Sequence, residues 1–253
     1  MTNTSVTSAT YTISDFKKIK EKVLNWAQRF GTFSFLDNHQ YQIGPHTMEC
    51  MLAAGVKRKI KAGAGNALLQ LQQFIDKKES WLFGHLGYDL KNEIENLFSS
   101  NKSGIQFPDL FFFEPEIIIR LTDKEMVIEC SDPVIVFTGI METVVTTASL
   151  AKTVAPVIES RITKEEYIGS IKKLQQHILR GDCYEINFCQ EFYSSNTIAD
   201  PLMIYKRLTN ISPNPFSMLY KMDDQWLICA SPERYLKKQG SSILSQPIKG
   251  TSK

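Results

Sequence analysis

The spacing of apolar residues switches along this chain between a helical period and a strand-like one, and this alternation restricts the fold most strongly. Residues 16–30 carry apolar side chains at helical intervals and are followed by Gly31, where a helix would end. Residues 32–36 and 41–43 are then β-prone and are separated by turn-forming residues. Because short turns join antiparallel neighbours, this order predicts a helix beside an antiparallel strand pair.

The same order recurs further along the chain. Helical spacing returns over residues 66–78 and is followed by a strand signal at 81–86. Thr163 and Glu166 form a capping-box pair that begins another helix, which Gly181 would end. Helices set against antiparallel sheets predict an α+β fold. No glycine-rich βαβ crossover is present, which excludes a dinucleotide-binding or P-loop fold.

Composition excludes several classes of function. Twenty-nine basic and 27 acidic side chains leave a formal charge of +2, which gives no electrostatic reason to expect nucleic acid or an anionic membrane as a partner. No apolar run approaches the ~20 residues of a membrane span. Five scattered cysteines, together with a start that lacks a signal peptide, predict reduced thiols and a cytoplasmic location.

Three segments carry residues suited to chemistry. Residues 183–193 are predicted to form a long strand, with Glu185 on its polar face. Glu233 follows the apolar run 226–230, where burial would raise the pKa of a carboxyl group and let it donate a proton. Lys249 lies in a compact Pro247–Thr251 segment and would be nucleophilic if desolvated. Thr251 and nearby backbone N–H groups could bind a carboxylate. These patterns alone therefore predict no more than an α+β, enzyme-like domain with a candidate anion site at residues 247–251.

Several motifs, in order, resemble those of the chorismate-utilising enzymes. In the first half, the family's "LLES", "GxxxYDLxxxxExL" and "xPDxxFxxP" patterns resemble residues 33–37, 84–97 and 107–115. In the second half, its "GDxYQxNxxQ", "NPxPYxxxL", "SPERFL" and "PIxGT" patterns resemble residues 181–190, 214–217, 231–236 and 247–251. The resemblance covers nearly the whole chain. It implies antiparallel sheets packed face to face with helices outside, of which this chain holds the first part.

One position separates the branches of this family. Anthranilate synthases usually have alanine within "PIxGT", whereas aminodeoxychorismate synthases that use a lysine nucleophile have lysine, and Lys249 stands there in this chain. The resemblance therefore implies amination of chorismate to 4-amino-4-deoxychorismate, for para-aminobenzoate and folate synthesis. Two alternatives stay open: anthranilate synthase component I, and a non-catalytic tryptophan-binding fragment.

The resemblance also implies roles for individual residues. Lys249 would attack C2 of chorismate, and Glu233 would protonate the departing C4 oxygen. Gly250 and Thr251 would hold a substrate carboxylate. Glu185 would contact the substrate at a position where the aminating enzymes more often have glutamine. A glutamine amidotransferase subunit would supply the ammonia. Magnesium would neutralise a chorismate carboxylate through ligands expected beyond residue 253, with none assigned within this chain.

A tryptophan site is implied in the first half of the family fold. The residues that match it are Ser34, Leu36, Asn214, Pro215 and Phe216. Asp37 and Asn38 replace the usual Glu-Ser pair of that motif.

The resemblance divides the chain into two regions. Residues 1–150 would form an N-terminal α+β region with the tryptophan-binding sandwich, and residues 151–253 the first, truncated part of the catalytic region. Residues 131–160 are predicted to be strand fragments that in part connect the two halves. Because the matched motifs stop just before Lys253, we expect the isolated chain to be unstable or inactive without the remainder of such an enzyme.

Overall fold

The structure is a computed structural model that describes residues 6–41, 48–101, 103–145, 156–195 and 199–248. Its helices are α1 (Phe16–Ala27), α2 (Ala67–Asp76), α3 (Lys91–Ile94), α4 (Pro133–Glu142), α5 (Lys164–Arg180) and α6 (Pro201–Ile211), and a 3-10 turn spans Tyr88–Leu90. Its strands are β1 (Thr7–Thr12), β2 (Thr32–Asp37), β3 (Cys50–Ala54), β4 (Arg58–Ala62), β5 (Phe83–Leu86), β6 (Leu110–Glu114), β7 (Ile117–Leu121), β8 (Glu125–Cys130), β9 (Glu159–Ser160), β10 (Phe192–Tyr193), β11 (Phe216–Met222), β12 (Gln225–Ser231), β13 (Arg234–Gln239) and β14 (Ser242–Gln246).

The chain divides into two compact units. One contains residues 1–147 and 201–253, and the other contains residues 148–200. In the first unit, seven antiparallel strands form a sheet in the order β1-β8-β7-β3-β2-β11-β12, and a three-stranded sheet has the order β4-β6-β5. The prediction of an α+β fold built on antiparallel sheets is confirmed. Residues after 200 supply β11 and β12, and β11 pairs with β2 in the same sheet.

Side-chain alternation gives the seven-stranded sheet two different faces. On β3, Cys50, Leu52 and Ala54 point to one face, and Met51 and Ala53 point to the other. The first face packs against α1, α4 and α6 in one large hydrophobic core. The second face packs against the three-stranded sheet. The opposite face of that small sheet packs against α2, so the unit has four layers.

Aromatic side chains fill the layer between the two sheets. Phe83, Phe111 and Phe113 of the small sheet form a buried cluster with Tyr220 of β11. The Nδ1 atom of His85 lies 3.3 Å from the hydroxyl oxygen of Tyr220, and its Nε2 atom lies 2.9 Å from the carbonyl oxygen of Pro108. His85 therefore gives the tyrosine hydroxyl a polar partner inside an apolar layer.

A buried carboxylate fastens α2 to the small sheet. Glu114 of β6 accepts a hydrogen bond of 2.6 Å from Nε of Arg58 and one of 2.7 Å from Nζ of Lys78. Arg58 also donates to the carbonyl oxygens of Phe74 and Lys78, at 2.8 Å each, and its guanidinium lies 4.3 Å from the Phe74 ring centre. The arginine thereby pairs with the carboxylate and also caps carbonyl oxygens at the C-terminal end of α2.

The unit of residues 148–200 is built around α5. The Thr163 hydroxyl accepts a hydrogen bond of 3.2 Å from the amide of Glu166, whose carboxylate accepts one of 2.8 Å from the amide of Thr163. Gly181 ends the helix with a φ of +87°. The predicted capping box and both predicted helix ends are confirmed.

Two sequence predictions about secondary structure are wrong. Only Phe192–Tyr193 of the predicted strand 183–193 is a strand, paired with Glu159–Ser160, because residues 183–191 have no hydrogen-bonded partner strand among the described residues. Within the 131–160 region, predicted to be strand fragments, Pro133–Glu142 is a helix. The Asp132 carboxylate accepts hydrogen bonds from the amides of Val134 and Ile135, and Pro133 occupies the first turn, where its missing N–H costs nothing.

Gly84 of β5 lies against the backbone of β6. A Cβ atom at this position would lie 1.9 Å from the carbonyl oxygen of Phe111. We expect Gly84→Ala to lower the free energy of unfolding by ~1–3 kcal/mol or more, because the backbone of β6 must move. Gly63→Ala is the matched control, since its Cβ would meet only Asp109 Oδ2 at 3.6 Å. Equal urea midpoints for the two variants would contradict the close approach.

Glu114 makes the fold sensitive to acid. Burial by itself raises the pKa of its carboxyl group, but the hydrogen bonds and charges of Lys78 and Arg58 outweigh burial and hold that pKa below its ordinary value of 4.5. The stabilisation that Glu114 gives the folded state is fully present above pH 4.5. It is lost as the pH falls through the lower pKa of the folded state. We expect Glu114→Gln to cost about 3 kcal/mol at pH 7.

The loss in free energy of unfolding caused by Glu114→Gln should become smaller as the pH is lowered from 5 to about 3. Urea unfolding at each pH would measure it. Glu125→Gln, at an exposed position of β8, is the control and should change stability by less than ~0.5 kcal/mol. A cost for Glu114→Gln that does not depend on pH would contradict this ion pair.

Candidate functional site

A cavity of about 310 Å³ opens beside the end of β2. Its walls are largely apolar and come from β2, β3 and β11 and from the segments next to them. The lining includes Leu36, Asn38, Met48, Met51, Pro215, Phe216, Met218 and Arg234. Flexible methionines beside a proline and an aromatic ring make a surface suited to a flat apolar group.

Three of the five residues predicted to bind tryptophan line this cavity, namely Leu36, Pro215 and Phe216. Ser34 is buried within β2, between Ala53 and Tyr220 of the neighbouring strands, and is not part of the lining. Asn214 supports the wall instead.

The Nδ2 atom of Asn214 donates to Ser212 Oγ at 2.8 Å and to the carbonyl oxygen of Ala230 at 3.3 Å. The main-chain carbonyl oxygen of Asn214 accepts a hydrogen bond of 2.8 Å from Ser217 Oγ. The Asn-Pro-Phe segment is therefore held at both ends.

Arg234 is a cavity residue that the sequence prediction missed. Its guanidinium lies 4.8 Å from the centre of the Phe216 ring, and Nη1 donates to Gln246 Oε1 at 3.0 Å. A cation at the border of an apolar cavity is suited to a ligand that carries a carboxylate beside an aromatic ring. The Ser-Pro-Glu-Arg motif contains this arginine, but the motif resemblance predicts a role only for its glutamate.

The predicted catalytic residues lie in less enclosed surroundings or outside the described residues. Glu233 is exposed in the turn between β12 and β13, where its amide donates to Ser231 Oγ at 3.1 Å. Glu185 is exposed in the irregular segment of the other compact unit. Lys249, Gly250 and Thr251 lie outside the described residues. The catalytic and substrate-binding roles of all five stay predictions.

The residues that the structure describes offer no group of three or more His, Cys, Asp or Glu side chains placed to hold a metal ion. They do not supply a magnesium site, and the magnesium that the resemblance implies stays a prediction. Among the same residues, no helix is long and apolar enough to cross a membrane.

A second cavity, of about 380 Å³, lies on the helical face of the sheet. Asp37 borders both cavities, since it ends the strand that separates them. Its carboxylate is paired with Lys20 and is only 1% exposed.

A family model described as "chorismate binding enzyme" matches residues 26–253, and the chain therefore belongs to the chorismate-binding enzyme family. Aminodeoxychorismate synthase component 1 from Klebsiella aerogenes is 25% identical over 170 residues, which are 66% of this chain and 38% of that protein. The Bacillus subtilis protein of the same name is 26% identical over 189 residues, covering 66% and 39%.

A shorter match joins the chain to another branch of the family. Anthranilate synthase alpha subunit 1, chloroplastic, from Arabidopsis thaliana is 35% identical over 94 residues, which are 37% of this chain and 16% of that protein. The matched segments thus cover well under half the length of these curated relatives.

Solved structures support the fold. Anthranilate synthase component I from Streptococcus pneumoniae superimposes with a TM-score of 0.64 at 18% identity, over 80% of this chain and 54% of that one. The menaquinone-specific isochorismate synthase of Escherichia coli gives a TM-score of 0.55 at 11% identity, over 94% and 53%. The predicted face-to-face fold of this family, present in part, is confirmed.

Proposed function

We propose that this chain is part of an enzyme that aminates chorismate at C4 to give 4-amino-4-deoxychorismate, with ammonia from a glutamine amidotransferase subunit. The observation that carries the proposal is Lys249 within Pro247–Thr251, in a chain that belongs to the chorismate-binding family. The relatives named aminodeoxychorismate synthase component 1, matched over two thirds of the chain, support the same branch.

The chemistry requires a poor leaving group to depart. In the proposed reaction, the neutral amine of Lys249 forms a bond to C2, the ring double bonds shift, and the C4–O bond breaks. Glu233 gives its proton to the departing oxygen, which leaves as water. Ammonia then forms a bond to C4 and gives its surplus proton to the Glu233 carboxylate, the double bonds shift back, and the lysine amine leaves C2. The balance is chorismate plus ammonia to aminodeoxychorismate plus water.

Product identification tests the reaction. The natural gene product, expressed in full, would be incubated with chorismate, ammonium and magnesium, and the products identified by mass and retention time. Aminodeoxychorismate is the expected product. Anthranilate would favour the other aminating branch and contradict the weight given to Lys249. Unconsumed chorismate would contradict both and favour a binding role.

Replacing the proposed nucleophile should remove most of the turnover. We expect Lys249→Ala and Lys249→Arg each to lower kcat by at least about 10³-fold, because arginine keeps the charge but has no free amine near neutral pH. Lys238→Ala, at an exposed position of β13, is the control and should retain full activity. Steady-state kinetics on all three would decide, and near-normal turnover in either Lys249 variant would exclude covalent catalysis by this residue.

The cavity beside β2 supports a second function, the binding of an aromatic amino acid such as tryptophan. The observation that favours it is an apolar wall containing Leu36, Pro215 and Phe216, with the Arg234 guanidinium at its border. The indole ring of tryptophan would lie against the apolar wall, and the carboxylate of the amino acid would face the Arg234 guanidinium.

Titration calorimetry with L-tryptophan tests the cavity. We expect Phe216→Ala to weaken binding by roughly 10- to 100-fold, as the loss of a buried aromatic contact would. Tyr235→Ala is the control, because Tyr235 is 83% exposed next to Arg234. Absence of heat with the wild-type protein, or equal affinity in the Phe216 variant, would remove tryptophan as the ligand of this cavity.

A further inference from the structure

The Asp37 carboxylate lies on the helical face of β2, while the preceding residue, Leu36, lines the cavity beside the end of that strand. Its side chain is almost fully buried and forms an ion pair with Lys20 of α1. Oδ2 accepts a hydrogen bond of 3.4 Å from the Tyr205 hydroxyl of α6. Oδ1 lies 3.6 Å from the Cys50 thiol of β3. One carboxylate thus joins two helices and two strands.

The same carboxylate fixes the turn that follows β2. Oδ1 accepts a hydrogen bond of 2.9 Å from the amide of His39, and the side chain of Asn38 accepts one of 2.8 Å from the amide of Gln40. His39 and Gln40 have φ values of +50° and +60°. Because non-glycine residues are disfavoured in this region, the turn needs such anchors to keep its shape.

The anchored turn reaches both walls of the cavity. On the β3 side, the amide of Asn38 donates to the Glu49 carbonyl at 3.0 Å, and its side chain donates to the Met48 carbonyl at 3.3 Å. On the β11 side, the Tyr41 hydroxyl donates to the carbonyl oxygen of Pro213 at 3.0 Å. Pro213 directly precedes the Asn-Pro-Phe segment that forms the second wall.

We propose that Asp37 is a positioning residue of this cavity: from the opposite face of the sheet, it holds the 38–41 turn and, through Tyr41, the distance between the two cavity walls. The ligand part of this inference rests on the proposed binding of an aromatic amino acid. Asp37 borders the cavity, but its carboxylate lies on the helical face and acts by setting the width of the slot in which the ring lies.

Two variants separate positioning from stability. Asp37→Ala removes the anchor, and Tyr41→Phe removes only the hydroxyl that holds the Pro213 carbonyl. We expect each to weaken L-tryptophan binding by about threefold to tenfold, as the loss of one or two hydrogen bonds would. Asp37→Glu should recover part of the affinity. Tyr41→Phe should leave the melting temperature within about 2 °C of wild type, because Tyr41 is 43% exposed.

Amide hydrogen exchange without ligand tests the positioning part by itself. Faster exchange confined to residues 38–41 and 212–217 in both variants is expected. If that pattern appears but the wild-type chain binds no tryptophan, the ligand assignment fails and the positioning role stands.

Asp37→Ala alone is not decisive if it loosens the whole fold, so Tyr41→Phe then decides. Unchanged exchange at 212–217 in Tyr41→Phe, or wild-type tryptophan affinity in both folded variants, would overturn the proposal.

Discussion

The antiparallel pairing of β2 with β11 is the interaction on which the rest of this structure depends. It sets Phe35 opposite Leu219 and so joins residues near the start of the chain to residues near its end in one sheet. Phe33, Phe35 and Leu219 are fully buried on the helical face, where α1 and α6 pack. Without this pairing, the helices would lose a common surface and the cavity would lose one of its two walls.

The pairing also decides what each side chain at the end of β2 can do. Since neighbouring residues point to opposite faces, Leu36 lies at the cavity and Asp37 among the helices. Burial raises the pKa values of the Cys50 thiol and the Tyr205 hydroxyl, and the nearby Asp37 charge adds to the effect, so both groups stay protonated beside the ion pair of Asp37 and Lys20. The functional interest of β2 therefore lies in a pair of residues with different tasks.

Local signals in the sequence predicted local structure well. The helical spacing before Gly31 and the Thr163–Glu166 capping box each predicted a helix that is present, because both depend on contacts within a few residues. The strand predicted over 183–193 failed because a strand requires a partner, which its own sequence does not specify. Helix α4 was missed although Asp132 and Pro133 form a good helix start, since its apolar residues show no clear one-sided pattern.

The candidate site was predictable only in part. Leu36, Pro215 and Phe216 were found through motif resemblance, but no sequence pattern shows that residues about 180 positions apart share a cavity. Arg234 was missed because its role depends on lying over the Phe216 ring, and the Asp37–Lys20 pair because it joins a strand to a helix on the other face. Such properties arise from tertiary pairing.

The most direct test of this account is native-state hydrogen exchange as a function of denaturant. If β2 and β11 form one cooperative core, amides such as those of Phe35 and Leu219 should exchange only through global unfolding, with the same free energy and the same dependence on denaturant. Amides in β13 and β14, where no residue is buried, should exchange by local opening at much lower free energy. Separate opening energies for β2 and β11 would contradict the account, because the cavity and its supporting turn would then lack a common foundation.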